Sequence, residues 1–98
     1  MSEPVYLDQT LRLAPGVRFQ SVNDEVVLFD VDRGTYFGLN EVGARVWVLL
    51  GEGLQGDALV ERLTDEYEVA QDRLSVDVNR LLGELHQQGL IEVIDESD

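Results

Sequence analysis

The spacing of apolar residues changes once along the chain, at Leu39-Asn40, and this change constrains the fold more than any other feature of the sequence. Before it, apolar and β-branched residues stand in short segments between turn residues, which is typical of strands. After it, apolar residues recur about every 3.6 residues, the period of an amphipathic helix. The chain is therefore expected to form an α+β domain in which strands come first and helices follow.

Two tight turns separate three β-type segments in the first half of the chain. Asn23-Asp24 supplies the first turn and Asp32-Arg33-Gly34 the second, in which Gly34 is expected to take a positive φ. Turns this short join antiparallel neighbours, so we predict a three-stranded antiparallel β-meander. Three strands alone are marginally stable, and helices should cover one face. The predicted strands span residues 17–22, 25–30 and 35–39.

Three helices are predicted after Leu39. Asn40 is a good N-cap for the first helix, and Gly89 is a natural C-terminal cap for the third. Gln55 and Ala70 stand at the other two helix starts, where stronger capping residues would be expected. Three helices followed by a short C-terminal β segment resemble a winged helix-turn-helix. The helices are expected at about 40–51, 59–67 and 71–88, and the β segment at 90–94.

The chain is long enough for one domain with a single modest core. Residues 1–14 lack sustained periodicity and are expected to form an N-terminal arm that packs in an extended conformation. Residues 15–94 are expected to form the folded domain. Residues 95–98, Asp-Glu-Ser-Asp, should be a solvated acidic tail.

The charge balance excludes several kinds of partner. Asp and Glu number 20 against 7 Lys and Arg, the net charge is −13, and lysine is absent. A phosphate backbone is bound by neutralising its charge, so we expect neither nucleic acid nor an anionic membrane as a partner. The predicted third helix carries Arg73 and Arg80 among acidic residues, which does not suit a DNA-recognition helix. A high negative charge keeps a small domain soluble and also steers basic or amphipathic peptides toward it.

Targeting and redox signals are missing from the sequence. No apolar run approaches 18 residues, which predicts no membrane span. Residues 1–6 lack the basic region and apolar stretch of a signal peptide. There is no cysteine, and therefore no disulfide framework and no thiolate site. A cytoplasmic location is expected.

No constellation of residues predicts catalysis or a cofactor. His86 is the only histidine and is expected to face solvent, without a nucleophile or ligand cluster beside it. Asp30-Val31-Asp32 resembles the start of a calcium loop, and Glu41 stands at the twelfth position. Thr35 replaces the glycine required at the sixth, so a hairpin turn is the better interpretation. We predict a protein that is not an enzyme and holds no metal or cofactor.

The remaining functional feature is the edge of the predicted sheet. A meander leaves two edges with unpaired N–H and C=O groups, and the third strand contains Gly38, where another backbone can approach closely. Such an edge accepts an extended peptide as an added strand. Alternatively, Tyr36, Phe37 and Leu39 are core residues and the edge is covered within the domain.

The run GTYFGLNEVGARVW, residues 34–47, carries a family resemblance that further runs extend. These are LLGEG at 49–53, LVERL at 59–63, YEV at 67–69, DVNRLL at 77–82 and GLI at 89–91. Together they resemble the family of pyrroloquinoline-quinone synthesis protein D (PqqD) over roughly residues 15–94. A strand ending in Leu39-Asn40, a helix with Trp47 and the Gly-Leu-Ile ending are fairly specific in combination.

The resemblance implies a recognition element for ribosomally made, post-translationally modified peptides. Members bind the N-terminal leader segment of a precursor and present its core segment to a modifying enzyme. The leader is added to the third strand and lies in a groove bounded by the third helix. The implied peptide-binding residues are Thr35, Tyr36, Phe37, Gly38 and Leu39 on the strand, with Arg73, Val76, Asp77, Arg80, Leu81 and Glu84 on the helix. For Val76, an isolated exposed apolar residue is the alternative.

A free-standing chain of this size is similar to the discrete recognition proteins of lasso-peptide pathways. There the partner enzyme is a separate leader peptidase, and a cyclase acts later. Leaders of that kind typically anchor a tyrosine and a proline in an apolar pocket, for which Phe37, Leu39 and Leu81 are candidate walls. The competing hypothesis is a winged-helix domain that binds another protein or regulates it, without affinity for a leader peptide.

Overall fold

The computed structural model describes residues 6–94, which form two antiparallel sheets packed on three helices. The predicted order of three strands, three helices and a short C-terminal strand is confirmed, and one more strand precedes it. The strand predicted third is therefore β4. A single turn of 3-10 helix at Tyr6–Asp8 comes first. The elements are β1 (Thr10–Leu13), β2 (Val17–Val22), β3 (Glu25–Asp30), β4 (Thr35–Leu39), α1 (Glu41–Gly51), α2 (Gly56–Glu66), α3 (Gln71–Gln87) and β5 (Ile91–Ile94).

The three-stranded sheet is the predicted meander, in the order β2-β3-β4. Gly34 has a φ of 68° as predicted, and its N–H donates to the carbonyl oxygen of Asp30 at 2.8 Å. The Asp30 carboxylate accepts from the backbone N–H of Arg33 at 3.2 Å and lies 3.7 Å from its guanidinium. These contacts are those of a hairpin turn, which was the interpretation preferred over a calcium loop.

The two faces of this sheet differ in their exposure to solvent. Val26, Leu28 and Leu39 are buried on the face that packs against the helices. On the outer face, Tyr36 is 73% exposed, and its ring lies 5.0 Å from that of Phe29. Alternating side chains along β3 and β4 thus place one apolar set in the core and leave a second set at the surface.

The helices begin and end at residues whose backbone roles follow from the sequence. Asn40 caps α1 as predicted, its Oδ1 accepting from the N–H of Gly43 at 2.9 Å. Gly89 has a φ of 73° just after α3, as its predicted capping role requires. Trp47, Leu63, Leu82 and other apolar residues on the inner helix faces form the core with the sheet. No helix within residues 6–94 is long and apolar enough to cross a membrane.

The second sheet joins the beginning and the end of the described chain. Thr10 of β1 pairs with Ile94 of β5, and Leu13 pairs with Ile91. Leu11 is only 3% exposed and belongs to the core cluster. The first five residues of the predicted N-terminal arm and the predicted acidic tail, residues 1–5 and 95–98, lie outside the described residues.

Gln55, which looked like a weak helix cap, has a different role. Its side chain makes no capping hydrogen bond. Instead its Oε1 accepts from the N–H of Leu11 at 2.9 Å, and its Nε2 donates to the carbonyl oxygen of Leu11 at 2.7 Å. The amide thus satisfies the backbone of β1 much as a neighbouring strand would.

Gln55→Ala is expected to lower the free energy of unfolding by about 1–3 kcal/mol, because two partly buried backbone groups of Leu11 lose their partner. The measurement is urea unfolding followed by far-ultraviolet circular dichroism. Gln87→Ala at the exposed end of α3 is the matched control and should change little. Equal stabilities of the two variants would contradict this role of Gln55.

Candidate functional site

One edge of β4 is free for pairing. Within residues 6–94, β4 is hydrogen-bonded to β3 on one side and no strand lies on the other. The strand carries no charge, and a Cβ built on Gly38 would meet no atom within 4 Å. Leu39 is buried and Phe37 half-buried, whereas Thr35, Tyr36 and Gly38 are exposed. A second backbone can therefore approach this edge closely.

A groove of about 580 Å³ lies between the first half of α1 and α3. Asn40, which links β4 to α1, is one of its lining residues, so the groove begins where β4 ends. Val69, just before α3, also lines it. The complete lining is Asn40, Val42, Gly43, Val46, Val69, Arg73, Leu74, Asp77, Val78, Arg80, Leu81 and Glu84.

The groove combines an apolar floor with a charged wall. Val46, Leu74 and Val78 are buried, and Val42 and Leu81 are half-buried, so these five side chains form the floor. Residues at positions i, i+4, i+7 and i+11 form one row along α3, and their exposed side chains make the wall. The wall consists of Arg73, Asp77, Arg80 and Glu84.

The predicted site residues fall into three groups in the structure. Five of the six predicted on the third helix line the groove together. Val76 is not among the lining residues and is 58% exposed. The β4 residues, Thr35–Leu39, do not line it either, but they lead into it through Asn40.

Sequence reasoning missed the α1 side of the groove. Val42 and Val46 follow the apolar period of α1, so the pattern does not distinguish them from ordinary core residues. Gly43 carried the clearest signal, because glycine is unfavourable inside a helix and marks close packing. A Cβ at this position would lie 3.3 Å from Cδ2 of Leu39.

The four charged side chains of the wall have no ion-pair partner among residues 6–94. Arg12 and Arg45, by contrast, are paired with Glu92 and Glu66. Because the wall charges are not neutralised by the described part of the chain, they are available to a ligand in the groove.

A contact of Arg33 indicates the relative direction of β4 and α3. Its Nη1 donates to the carbonyl oxygen of Gln88 at 3.1 Å, which places the turn before β4 beside the end of α3. At its other end, β4 leads into Asn40, which shares the groove with Val69 just before α3. Strand and helix therefore run in opposite directions along the site.

An ion pair holds the end of α2 against α1 near the groove. Nε and Nη2 of Arg45 donate to the two carboxylate oxygens of Glu66, both at 2.8 Å. The hydrogen bond from Arg45 holds the pKa of Glu66 below its ordinary value. Burial, followed by the charge of Glu41, raises the pKa of the next residue, Tyr67. Val69 then follows two residues later and lines the groove.

Glu66→Gln is expected to lower the free energy of unfolding by about 0.2–1 kcal/mol at neutral pH, since the paired side chains are a third exposed. A lowered pKa means that the stabilisation is present above the ordinary value of 4.5 and is lost as the pH falls through the folded-state pKa. Urea midpoints of the wild type and the variant should therefore differ at pH 7 and converge as the pH falls below the folded-state pKa of Glu66. A gap that persists in acid would contradict the ion-pair explanation.

The described residues present no metal-binding cluster. Within residues 6–94, no three His, Cys, Asp or Glu side chains are close enough to hold a metal ion. His86 is exposed, as predicted, and its Nδ1 lies 3.1 Å from the hydroxyl of Tyr6. The site therefore consists of a free strand edge and an apolar groove with a charged wall, both suited to binding an extended chain.

This arrangement and the sequence define a member of the PqqD family, to which the chain belongs. The family model for coenzyme PQQ synthesis protein D matches residues 25–91. No curated protein matches the chain.

Two solved structures are similar over most of the chain. The first is "TbiB1 in Complex with the TbiA(beta) Leader Peptide", with 34% sequence identity and a TM-score of 0.80. The match covers 87% of this chain and 99% of TbiB1. The second is "Lasso peptide synthetase B1 complexed with the leader peptide", with 28% identity and a TM-score of 0.77, covering 85% of this chain and 98% of that one. Both relatives are thus complexes with a leader peptide.

Proposed function

We propose that this protein binds the leader segment of a ribosomally synthesised precursor peptide and delivers it to a processing enzyme, without catalysing a reaction itself. The observation that carries the proposal is the edge of β4 that no strand of residues 6–94 covers. It leads into a groove with an apolar floor and charges that have no ion-pair partner in the described part of the chain. The two similar structures support it, since each is a complex with a leader peptide.

The leader binds as an additional strand on β4. Its backbone pairs with the free N–H and C=O groups of Thr35–Leu39, which supplies affinity that depends little on sequence. Pairing is antiparallel, as it is with β3 and as is the more common arrangement. Side chains that point toward α3 contact the groove and supply specificity.

Delivery is a matter of local concentration. A leader held on this domain keeps the attached core segment near any enzyme that also binds the domain, which raises the effective concentration of the core. The partner is a leader peptidase or another modifying enzyme, and the pathway is that of a lasso peptide. The enzyme acts in the cytoplasm, where precursors are synthesised. This role requires no catalytic group or cofactor in the chain.

The first test is a titration of the full chain with the TbiA(beta) leader peptide, followed by backbone amide NMR. The expected result is micromolar or tighter binding, with shift changes concentrated in Thr35–Leu39 and Arg73–Glu84. A scrambled leader of the same composition is the control. The leader of a precursor encoded beside the gene for this chain is titrated in parallel. A folded sample that binds neither leader would overturn the proposal, and shift changes confined to Phe29 and Tyr36 would favour a protein-docking role for the outer sheet face.

Strand addition itself is tested on the peptide side, where folding of the protein is not at risk. In a strand paired along one side, only every second amide points at the partner. Methylating single backbone nitrogens of the leader should therefore weaken binding about fivefold at alternate positions and leave the intervening positions nearly unchanged. Equal tolerance at all positions would exclude pairing of the leader backbone with β4.

A further inference from the structure

The wall of the groove alternates in sign along α3. From the beginning of the helix to its end, the row reads Arg73, Asp77, Arg80, Glu84. Helices favour i,i+4 pairs in which the acidic residue precedes the basic one, and both i,i+4 pairs here have the reverse order. This agrees with the absence of ion pairs between these side chains.

The wall is neutral in sum, although the whole chain carries a net charge of −13. A basic peptide is attracted to the molecule as a whole, but inside the groove it meets two arginines that repel it as well as two carboxylates that attract it. The sign of a ligand's net charge therefore has little effect at the wall. What the wall distinguishes is the order in which charges follow one another along the ligand.

The length of the row matches a short extended segment. At a rise of about 1.5 Å per residue, Arg73 and Glu84 are separated by roughly 16 Å along the helix axis. An extended strand rises about 3.3 Å per residue, so about six leader residues span the same distance. Because arginine side chains are long, the charged residues of the leader need not stand exactly opposite the charges of the wall. The order of the leader charges is the main requirement.

The direction of the leader determines which order fits. Because β4 and α3 run in opposite directions, a leader antiparallel to β4 runs parallel to α3. Its N-terminal part then lies beside Arg73 and its C-terminal part beside Glu84.

We propose that the groove selects leaders by charge order, preferring acid-base-acid-base from the N-terminal to the C-terminal end over the reverse order with the same composition. This inference rests on the proposed leader binding and names a determinant of its specificity. Uniformly basic and uniformly acidic segments are expected to bind less well than the acid-first segment.

The test uses two variants of the TbiA(beta) leader. If the leader encoded beside the gene for this chain binds more tightly, the two variants are made in that leader instead. Across the six leader residues that lie along α3, one variant carries Glu and Lys in the acid-first order and the other in the base-first order. Both have the same composition and net charge. The acid-first peptide should bind about tenfold more tightly to the full chain by calorimetry, and the difference should shrink near 1 M salt.

A protein variant with the wall inverted provides the reciprocal test. Arg73→Glu, Asp77→Arg, Arg80→Glu and Glu84→Arg are combined, which leaves the net charge unchanged. Each acid then precedes its base, the order that helices favour, so folding should survive. The inverted wall is expected to prefer the base-first peptide. The matched control is the exchange Glu61→Arg with Arg62→Glu on the exposed face of α2, which should leave the preference as it is in the wild type.

The outcomes separate this inference from the proposed function. Opposite preferences of the wild type and the inverted wall, with acid-first preferred by the wild type, support it. Equal binding of both peptides would overturn charge selection while leaving leader binding intact. Base-first preference by the wild type would overturn the antiparallel direction. Loss of binding by every leader would instead remove the proposed function and this inference together.

Discussion

Replacing Trp47 with alanine is expected to lower the free energy of unfolding by about 3–5 kcal/mol. Trp47 is 1% exposed and is among the largest side chains of the core. Its nearest described aromatic neighbour is Phe19, whose ring centre lies 6.4 Å away. Small domains have free energies of unfolding of about 5–15 kcal/mol, so this single change should remove a large part of the total stability.

Trp47→Phe is the informative comparison. The Nε1–H of Trp47 is buried and has no hydrogen-bond partner among residues 6–94. Phenylalanine fills much of the same volume without carrying an unpaired donor, so its cost should be well below that of alanine. Because Trp47 is the only tryptophan, unfolding is followed by circular dichroism and not by fluorescence. Similar losses for both variants would mean that the core does not depend on the bulk of this side chain.

Leu81→Asp is expected to weaken leader binding about ten- to a hundredfold. Leu81 is half-buried in the groove floor, and a carboxylate there removes an apolar contact and adds a charge that bound peptide would desolvate. The measurement is the dissociation constant by calorimetry, on a variant whose circular dichroism spectrum shows that it is folded.

Val22→Asp is the control for this experiment. Val22 is also a partly exposed apolar residue, but it lies on β2 and outside the groove lining. Val22→Asp adds the same negative charge to the protein as Leu81→Asp, so any general effect of this charge on leader binding is the same in both variants. Equal losses of affinity in the two variants would show that the floor of the groove has no specific part in binding.

The elements that could be predicted from the sequence are those set by local patterns. The helices followed from the apolar period, and the turns followed from Gly34 and Gly89, whose positive φ values the structure has. The residues of the charged wall were implied by the family resemblance, and helix geometry explains why they lie together, because residues four and three positions apart lie on one face whatever the helix packs against. Each of these features is determined by residues that are close together in the sequence.

The features that were missed depend on partners far away in sequence. β1 is four residues long and pairs with β5, about 80 residues later. No pattern within Thr10–Leu13 specifies that partner. Gln55 looked like a poor cap because its role depends on Leu11, on a different element. The α1 side of the groove likewise exists only because of the way α1 packs beside α3.

The pairing of β1 with β5 has a consequence for the way in which the domain opens. The N–H of Ala14, just after β1, donates to the carbonyl oxygen of Leu90 at 3.0 Å, and the N–H of Tyr6, ahead of β1, donates to Oδ1 of Asn79 in α3 at 2.6 Å. The first and last strands of the described chain therefore cannot fray one at a time, because each supplies backbone partners to the other. Their amide hydrogens are expected to exchange with solvent as one cooperative unit.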